Sequence, residues 1–432
     1  MDTILYLLGI LFVILGIAAS IGLHELGHYL PARLFGVRVR QFMIGFGPTI
    51  FSRKRGETEF GFKALPLGGY ILMAGMYPPE AKEYRGPFAA WIKDARQELK
   101  SQVEPGDEGR QFFALKPWKK SIIMLGGPVM NFLLGILLIL VSLSGIGTLQ
   151  NSLTVQQVFS CVDTLSDGSC PESAPQGPAL TAGMLPGDQI ASVNGTAVDS
   201  WNQAADLLAQ RGQAVSSVVV LRDGQESQLS VTPLYRERAI FDEQGNLVYD
   251  AAGVPVTELR PIIGVRLAPQ SVPIPASQAL GYGVQATGAM FAFIVDLPQQ
   301  IYQVFLSTIG VQERDPFGAV SIVGVGQLAG EVSSADIGAD AKLALLLLLL
   351  GSLNIALFAF NLIPLLPLDG GHVLGAAYEG VKRGASRLLG RKDPGPIDTA
   401  RALPVAYGVW VLLIFTGLLL VLADLINPIG LA

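Results

Sequence analysis

Four long stretches of this chain contain no charged side chain, and they restrict its fold more than any other feature. They are residues 3–23, 121–162, 343–368 and 402–423. About 20 helical residues cross the hydrocarbon core of a bilayer, so each stretch is long enough to span a membrane once. The sequence therefore predicts an α-helical polytopic membrane protein with four transmembrane helices.

Basic side chains are distributed unevenly between these stretches. Residues 31–120 carry 16 of the 30 Lys and Arg and residues 382–401 carry six, whereas the much longer 145–340 carries seven. Cytosolic loops are enriched in Lys and Arg, so we expect the first two regions inside and 145–340 outside. The net charge of −5 then describes an acidic outer region, and it does not favour nucleic acid as a partner.

Residues 270–312 are apolar but are interrupted by Asp296, Pro298, Gln299 and Gln300, and residues 281–310 raise the question of a fifth span. Two basic regions on the same side of a membrane require an even number of crossings between them, which a fifth span would violate. We therefore expect one or more amphipathic helices on or near the membrane in this region.

Two of the three histidines lie in the pattern His-Glu-x-x-His at the end of the first span. In a helix His24 and His28 share a face and can bind one metal ion. Imidazole is a good zinc ligand, and a catalytic zinc has three protein ligands and one place for water. Glu25 is placed to take a proton from that water. The alternative is that these side chains bind no metal and only snorkel to the membrane interface. Polar side chains at this depth cost free energy, and the alternative gives them no function in return.

Asp369 is the best candidate for the third zinc ligand. It follows the third span within residues 364–371, whose prolines and glycines would break a helix. Broken membrane helices occur where they line a protein or aqueous cavity. The distribution of basic residues independently places Asp369 on the same side as His24 and His28. An ordinary carboxylate at a helix end remains the alternative.

Three further polar residues lie near the predicted zinc site. His372 is a fourth ligand, a hydrogen-bond donor to a ligand or a structural residue, and we favour the last two because a fourth protein ligand would exclude water. Asn361 is a candidate to hydrogen-bond the substrate backbone or a reaction oxyanion, with interhelical packing as an equal alternative. Asn354 gives a similar but weaker signal.

The segments beside the first and second spans have recognisable patterns. After the first span, alternating apolar residues bounded by Gly and Pro favour hairpins, and an exposed strand edge there would capture an extended substrate by β-addition. We expect the substrate to meet this region at Gly45, Gly47, Gly68 and Gly69. Before the second span, Trp118, Lys119 and Lys120 have the composition of an interfacial anchor.

The sequence of the outer region, residues 152–268, predicts a compact α+β module. Short apolar runs separated by Asn-Gly and Asp-Gly turns indicate strands, and residues 200–210 indicate a helix. Cys161 and Cys170 are nine residues apart within it. In an oxidising compartment they would form a disulfide, with two unpaired thiols as the alternative.

Taken together and in this order, the motifs resemble the site-2 protease family of intramembrane proteases. His24–His28 fits the family's H-E-x-x-H, residues 361–371 fit its N-x-x-P…L-D-G, residues 127–131 fit its G-P-x-x-N, and 179–190 are similar to the signature of its PDZ domains. The resemblance implies a Zn2+ cofactor and a place in a bacterial cell membrane. It also implies hydrolysis within or near the transmembrane helix of single-pass proteins, such as anti-sigma factors, after a first cut by another protease.

The expected layout has four transmembrane helices, a membrane-associated β-region and an inserted α+β PDZ domain whose ligand is unknown. In chain order we expect a first transmembrane helix with the zinc motif at 1–30, the β-region at 31–76, a cytosolic loop at 77–117, a second transmembrane helix at 118–147, the external PDZ domain at 152–268, an amphipathic region at 270–340, a third transmembrane helix at 341–372, a cytosolic loop at 373–401 and a fourth transmembrane helix at 402–425.

Two other functions compete with this interpretation. One is a membrane metallopeptidase that degrades misfolded proteins or signal-peptide remnants, although such enzymes usually use Glu as the third ligand. The other is a PDZ-bearing membrane scaffold without activity, which leaves Glu25 without a purpose. Replacing Glu25 by Gln separates the enzymes from the scaffold.

Overall fold

The computed structural model describes residues 2–78, 88–90, 92–93, 107–162, 170–171, 174–239, 256–315 and 318–429. These residues belong to two compact units. The membrane unit comprises Met1–Gly147 and Pro273–Ala432, and the inserted unit is Thr148–Val272. Most of the predicted cytosolic loop at 77–117 lies outside the described residues.

Long apolar helices make up most of the membrane unit. The described helices of the whole chain are, in order, α1 (Asp2–Leu34), α2 (Pro117–Leu140, extended by a π-helical turn at Val141–Ile146), α3 (Pro178–Thr181), α4 (Trp201–Ala209), α5 (Ala276–Thr308), α6 (Ile322–Ser334), α7 (Ala339–Asn361), α8 (Asp369–Leu388) and α9 (Leu403–Ile426). Short 3₁₀ helices lie at Phe112–Ala114 and Thr399–Ala402.

Five of the described helices are long and apolar enough to cross a membrane, one more than the sequence predicted. They are α1, α2, α5, α7 and α9. The additional candidate is α5, a single helix of 33 residues in the region predicted as amphipathic. Asp296 and Pro298 lower the hydropathy of this helix but do not end it: both lie within its 33 residues. The sequence pattern allowed a single helix here but did not predict one long and apolar enough to cross a membrane.

The first two spans approach each other closely because glycine faces glycine where they meet. A Cβ atom at Gly27 of α1 would lie 2.2 Å from the carbonyl oxygen of Gly126 in α2, and one at Gly126 would lie 1.9 Å from that of Gly27. Small residues allow such backbone contact between membrane helices. Gly27 lies within the His-Glu-x-x-His motif, so this contact fixes the motif against α2.

A folded β-region follows α1. It consists of β1 (Val39–Arg55) and β2 (Thr58–Met73), which pair with a change of register so that Met43 lies opposite both Tyr70 and Gly61. Residues 69–73 therefore pair with the start of β1 on one of their two sides. No strand pairs with their other side among the described residues, so they form an edge of this sheet. Both strands pack on α1.

The inserted unit combines a main sheet, a separate pair of strands and the two helices α3 and α4. Its strands are β3 (Thr148–Val158), β4 (Gln189–Val193), β5 (Thr196–Ala197), β6 (Ser216–Arg222), β7 (Gln225–Val231), β8 (Leu234–Ala239), β9 (Thr257–Ile262) and β10 (Val265–Val272). The main sheet has the order β10-β3-β4-β6-β7, and β8 pairs with β9. Helix α4 contributes Ala204 and Leu208 to the core of this unit. Cys161 and Cys170 are joined by a disulfide.

Candidate zinc centre

Three side chains from two helices converge at one point in the membrane unit. His24 and His28 lie one turn apart on α1, and Asp369 is the first residue of α8. The Nε2 atoms of the two histidines are 3.1 Å apart. The Oδ2 atom of Asp369 lies 3.3 Å from the Nε2 atom of His24 and 3.3 Å from that of His28.

These separations fit a tetrahedral zinc ion. Ligand atoms bound about 2.0–2.1 Å from zinc at tetrahedral angles lie roughly 3.3–3.4 Å from each other. The Oδ2 atom of Asp369 is buried without a hydrogen-bond partner among the described residues, which is costly for a carboxylate unless a cation binds it. The set of two imidazoles and one carboxylate is that of a catalytic zinc site with a fourth position for water.

The tautomer of His28 also suits a metal. Its Nδ1 atom lies 2.7 Å from the carbonyl oxygen of Ile123 in α2, and since a carbonyl only accepts, Nδ1 carries the proton and donates it. The Nε2 atom is then free to bind the metal. Hydrogen bonds of this kind fix the ring orientation of metal-binding histidines.

Helix α2 touches the histidines at Gly127. A Cβ atom there would lie 2.3 Å from the Nε2 atom of His28 and 2.7 Å from that of His24. Any larger side chain would therefore occupy space next to the ligand atoms. The sequence motif Gly-Pro-x-x-Asn was noted by resemblance, but it gave no reason for this glycine, which depends on where α2 crosses α1.

Glu25 lies between the three converging side chains and the edge of the β-region. It is buried and lies within electrostatic range of His24, His28 and Asp369. On its other side is Gly69 of β2, where a Cβ atom would lie 2.9 Å from the Cγ atom and 3.0 Å from the Oε1 atom of Glu25. Of the four glycines predicted to meet substrate, Gly69 is thus the one whose position borders Glu25.

The other three predicted glycines have structural roles that explain their identity. Gly45 and Gly47 adopt φ angles of 96° and 85°, a region that side chains disfavour, where β1 turns. Gly68 packs against the ring of Phe46, since a Cβ atom there would lie 2.4 Å from Cε2. Substrate contacts at these three positions stay predictions.

The remaining predicted polar residues separate into different environments. Asn361 is half-buried at the end of α7. Asn354 is the buried amide, and it donates to the Oγ atom of Ser20 at 2.9 Å, which joins α7 to α1. His372 lies on α8 and lines a small cavity with Lys120 and Glu379, outside the cluster of three ligand atoms.

Lys120 corrects one detail of the sequence interpretation. It was predicted as part of an interfacial anchor, but its side chain is buried and its Nζ atom lies 2.7 Å from the Oε2 atom of Glu379. Trp118 is exposed, and its ring and that of Phe35 lie near the ammonium group of Lys119. The carboxylate comes from a helix over 250 residues away in the sequence, so the local pattern held no sign of it.

Comparisons with known proteins agree with this geometry. The model of peptidase family M50 matches residues 12–389. The chain is 31% identical over 446 residues to the zinc metalloprotease Rip1 of Mycobacterium tuberculosis (strain H37Rv), and the alignment covers 99% of both chains. It is 29% identical over 390 residues to the metalloprotease MmpA of Caulobacter vibrioides, covering 88% of both.

Apolar spans, a His-Glu-x-x-His helix and a carboxylate from a second helix together define the class of intramembrane zinc metalloproteases. The chain belongs to peptidase family M50, the site-2 protease family, which confirms the resemblance seen in its motifs. It is a multi-pass membrane enzyme with Zn2+ as cofactor. This excludes the inactive scaffold.

Proposed function

We propose that this chain hydrolyses a peptide bond within or next to the transmembrane segment of single-pass membrane proteins, with zinc held by His24, His28 and Asp369. The observation that carries the assignment is the convergence of two Nε2 atoms and one Oδ2 atom within 3.3 Å of one another. The participation of Asp369 also favours this function over a metallopeptidase with a Glu ligand.

Each residue of the site has a separate task in the proposed reaction. A zinc ion held by His24, His28 and Asp369 would supply Lewis-acid polarisation of the scissile carbonyl and would make water a stronger nucleophile at neutral pH. Glu25 takes a proton from the attacking water and returns it to the leaving nitrogen as the C–N bond breaks. Ile123 holds the ring of His28 through its carbonyl oxygen. Asn361 is proposed to hydrogen-bond the substrate backbone near the reacting carbonyl.

We propose that residues 69–73 of β2 bind the unwound substrate as an added strand. A helical peptide bond is shielded by its own hydrogen bonds, so the substrate must be extended before water can attack. The support is positional: this stretch is paired on one side only, and Gly69 borders Glu25. Backbone hydrogen bonds would then give affinity with little sequence preference. Tyr70→Pro is expected to reduce cleavage while zinc content stays at the wild-type level.

We propose that the inserted unit is an external PDZ domain that hinders substrates not yet trimmed by a first protease. The disulfide between Cys161 and Cys170 supports an oxidising compartment for it. With the basic regions 31–120 and 382–401 inside, the zinc site lies near the cytosolic face, and an even number of crossings makes α5 a helix along the membrane. A membrane-impermeant maleimide should then label Val215→Cys, but not Gly384→Cys, in intact cells.

The screening role of the inserted unit can be tested by deleting the unit, because its first and last residues lie next to each other. Thr148 of β3 is paired with Val272 of β10, so a short linker can replace the unit without displacing α2 or α5. We expect the shortened enzyme to cleave untrimmed single-pass proteins that the full chain leaves intact. Identical selectivity in both would remove the screening role.

The decisive test of the function is Glu25→Gln. This variant should keep its zinc, lose cleavage and accumulate uncut single-pass proteins that co-purify with it. Glu226→Gln, on the exposed part of β7 in the inserted unit, is the matched control and should cleave normally. Cleavage by Glu25→Gln at the control rate would exclude Glu25 as the base.

A further inference from the structure

Helix α8 has an inverted distribution of polar and apolar side chains. Its inward face carries Glu379, which is 2% exposed and bound to Lys120 and Arg383. Its outward face and the residue that follows its end carry large apolar side chains that are 52–90% exposed, namely Leu374, Tyr378, Val381 and Leu388 on the helix and Leu389 after it. Residues 374, 378, 381 and 388 follow the spacing of one helix face, so they form a continuous stripe, here called the α8 stripe together with Leu389.

The inserted unit provides the contrast. Its helix α4 buries Ala204 and Leu208 and exposes the polar residues Asn202 and Asp206, which is the normal arrangement beside water. A contiguous apolar stripe on a helix surface marks a membrane or protein contact. The exposed apolar side chains of α1 and α9, which are candidate spans, resemble the α8 stripe in this respect.

Contacts with the start of α2 set α8 at the depth of the membrane interface. A Cβ atom at Gly380 would lie 3.6 Å from the Cβ atom of Pro117, the first residue of α2. The next residue, Trp118, is 54% exposed and lies beside Lys119. Trp and Lys at the end of a span are typical of the boundary between acyl chains and headgroups.

Exposed cations lie on α8 and directly after its end. Lys382 and Arg387 are on the helix, and Arg391 and Lys392 follow it; all four are exposed. None of them forms an ion pair with another residue in the part of the chain that the structure describes. Arg383, by contrast, faces inward and is paired with Glu379. Apolar side chains flanked by unpaired cations match a leaflet that contains anionic lipid.

We infer that the α8 stripe is a docking surface for anionic phospholipid, with its apolar side chains among the upper acyl chains and its four cations at the headgroups. This inference does not depend on the catalytic assignment. It does have a consequence for the zinc site, because α8 begins at Asp369 and a lipid-held helix fixes the depth of that carboxylate.

A fluorescent label at Val381→Cys tests this surface in the full chain. The two native cysteines are bonded to each other, so the new thiol is the only reactive one under non-reducing conditions. In nanodiscs, we expect quenching by spin-labelled phosphatidylglycerol to exceed that by spin-labelled phosphatidylcholine at equal mole fraction by two-fold or more. Iodide in the water should quench only weakly.

A second experiment removes the four cationic side chains. The change Lys382→Gln, Arg387→Gln, Arg391→Gln and Lys392→Gln should bring the ratio of the two lipid quenching efficiencies close to one. The control, Arg53→Gln, Lys54→Gln and Arg55→Gln in the β-region, should leave the ratio unchanged because the readout is local to residue 381.

Three results would overturn the inference. Strong quenching by iodide with none by lipid would place the stripe in water. Excimers between pyrene labels at residue 381, in discs that hold two copies, would show that a second copy covers it. Equal quenching by both lipids in the unaltered cationic helix would show contact with the bilayer without selection of anionic headgroups.

Discussion

The Nδ1 atom of His28 donates a hydrogen bond to the carbonyl oxygen of Ile123 across 2.7 Å, and this joins the zinc motif of α1 to the backbone of α2. Because the acceptor is a backbone carbonyl oxygen, which every amino acid has, no substitution at residue 123 alone removes this hydrogen bond. The zinc centre therefore depends on how α2 is placed, and glycines at the crossing control that placement.

Gly127→Ala should lower zinc occupancy strongly. The added Cβ atom would lie 2.3 Å from the Nε2 atom of His28, so either the imidazole or α2 must move and the ligand atoms separate. Zinc content of the purified protein, measured by mass spectrometry, checks this. Gly417→Ala is the control, since nothing lies within 4 Å of its Cβ position. Full zinc occupancy in Gly127→Ala would contradict the observed packing.

Gly69→Ala should affect cleavage and leave zinc in place. Its Cβ atom would come within 3.0 Å of the Oε1 atom of Glu25 and within 2.9 Å of Ile21, which pushes the strand edge away from the base. We expect a decrease of ten-fold or more in the rate of cleavage of a trimmed substrate, with one zinc per chain retained. Gly384→Ala, at an open position on α8, serves as the control. An unchanged rate would separate Gly69 from the reaction.

Four residues of the candidate site were predictable from the sequence, and each had a local signal. His24, Glu25 and His28 lie within one helical turn and a half, and Asp369 lies where proline and glycine end a span. The contributions of Gly127 and Ile123 were not predictable. They depend on the crossing of α1 and α2, which no periodicity within either helix encodes.

The fold shows the same division between local and distant signals. Charge-free stretches located α1, α2, α7 and α9, because hydropathy is a property of each segment alone. The candidate span α5 was not predicted, because polar residues interrupt its apolar stretch and because two basic regions on one side of the membrane require an even number of crossings. The burial of Lys120 was missed because its partner Glu379 lies on a distant helix.

Glu379→Gln should destabilise the membrane unit, because it leaves the ammonium group of Lys120 buried without a counter-charge. Removing one partner of a buried ion pair costs about 3–5 kcal/mol. The double variant Lys120→Met with Glu379→Met should lose less than Glu379→Gln, since it removes the buried ammonium group together with its counter-charge. Arg383 loses Glu379 in both variants and keeps Asp393, so it does not affect the comparison. Unfolding midpoints in mild detergent measure both. A double variant less stable than the single one would show that the pair itself provides net stabilisation.

The inserted unit should lose stability in acid through Asp188. The guanidinium of Arg222, which donates two hydrogen bonds to it at 2.7 and 2.8 Å, holds the pKa of this carboxyl below its usual value, and so does the backbone N–H of Leu185. The lowered pKa contributes stability that is complete above about pH 5 and is lost as pH falls from there through the pKa of the folded state.

Hydrogen exchange of β4 and β6, corrected for intrinsic rates, measures this loss. Protection in the wild-type chain should fall as pH decreases from about 5 to 2, and Arg222→Gln should reduce the size of that decrease. Asp223→Asn, a neighbouring carboxylate outside this contact, is the control. Equal pH dependence in Arg222→Gln and the wild type would rule out the pair as its source.

Zinc content of Asp369→Ala tests the metal centre most directly. Asp369 supplies the one proposed ligand that lies outside α1, and its Oδ2 atom is 3.3 Å from both imidazoles. We predict about one zinc per chain in the wild type and in the control Asp393→Ala, and a loss of at least ten-fold in Asp369→Ala. One tightly held zinc per chain in Asp369→Ala would contradict the centre formed by His24, His28 and Asp369.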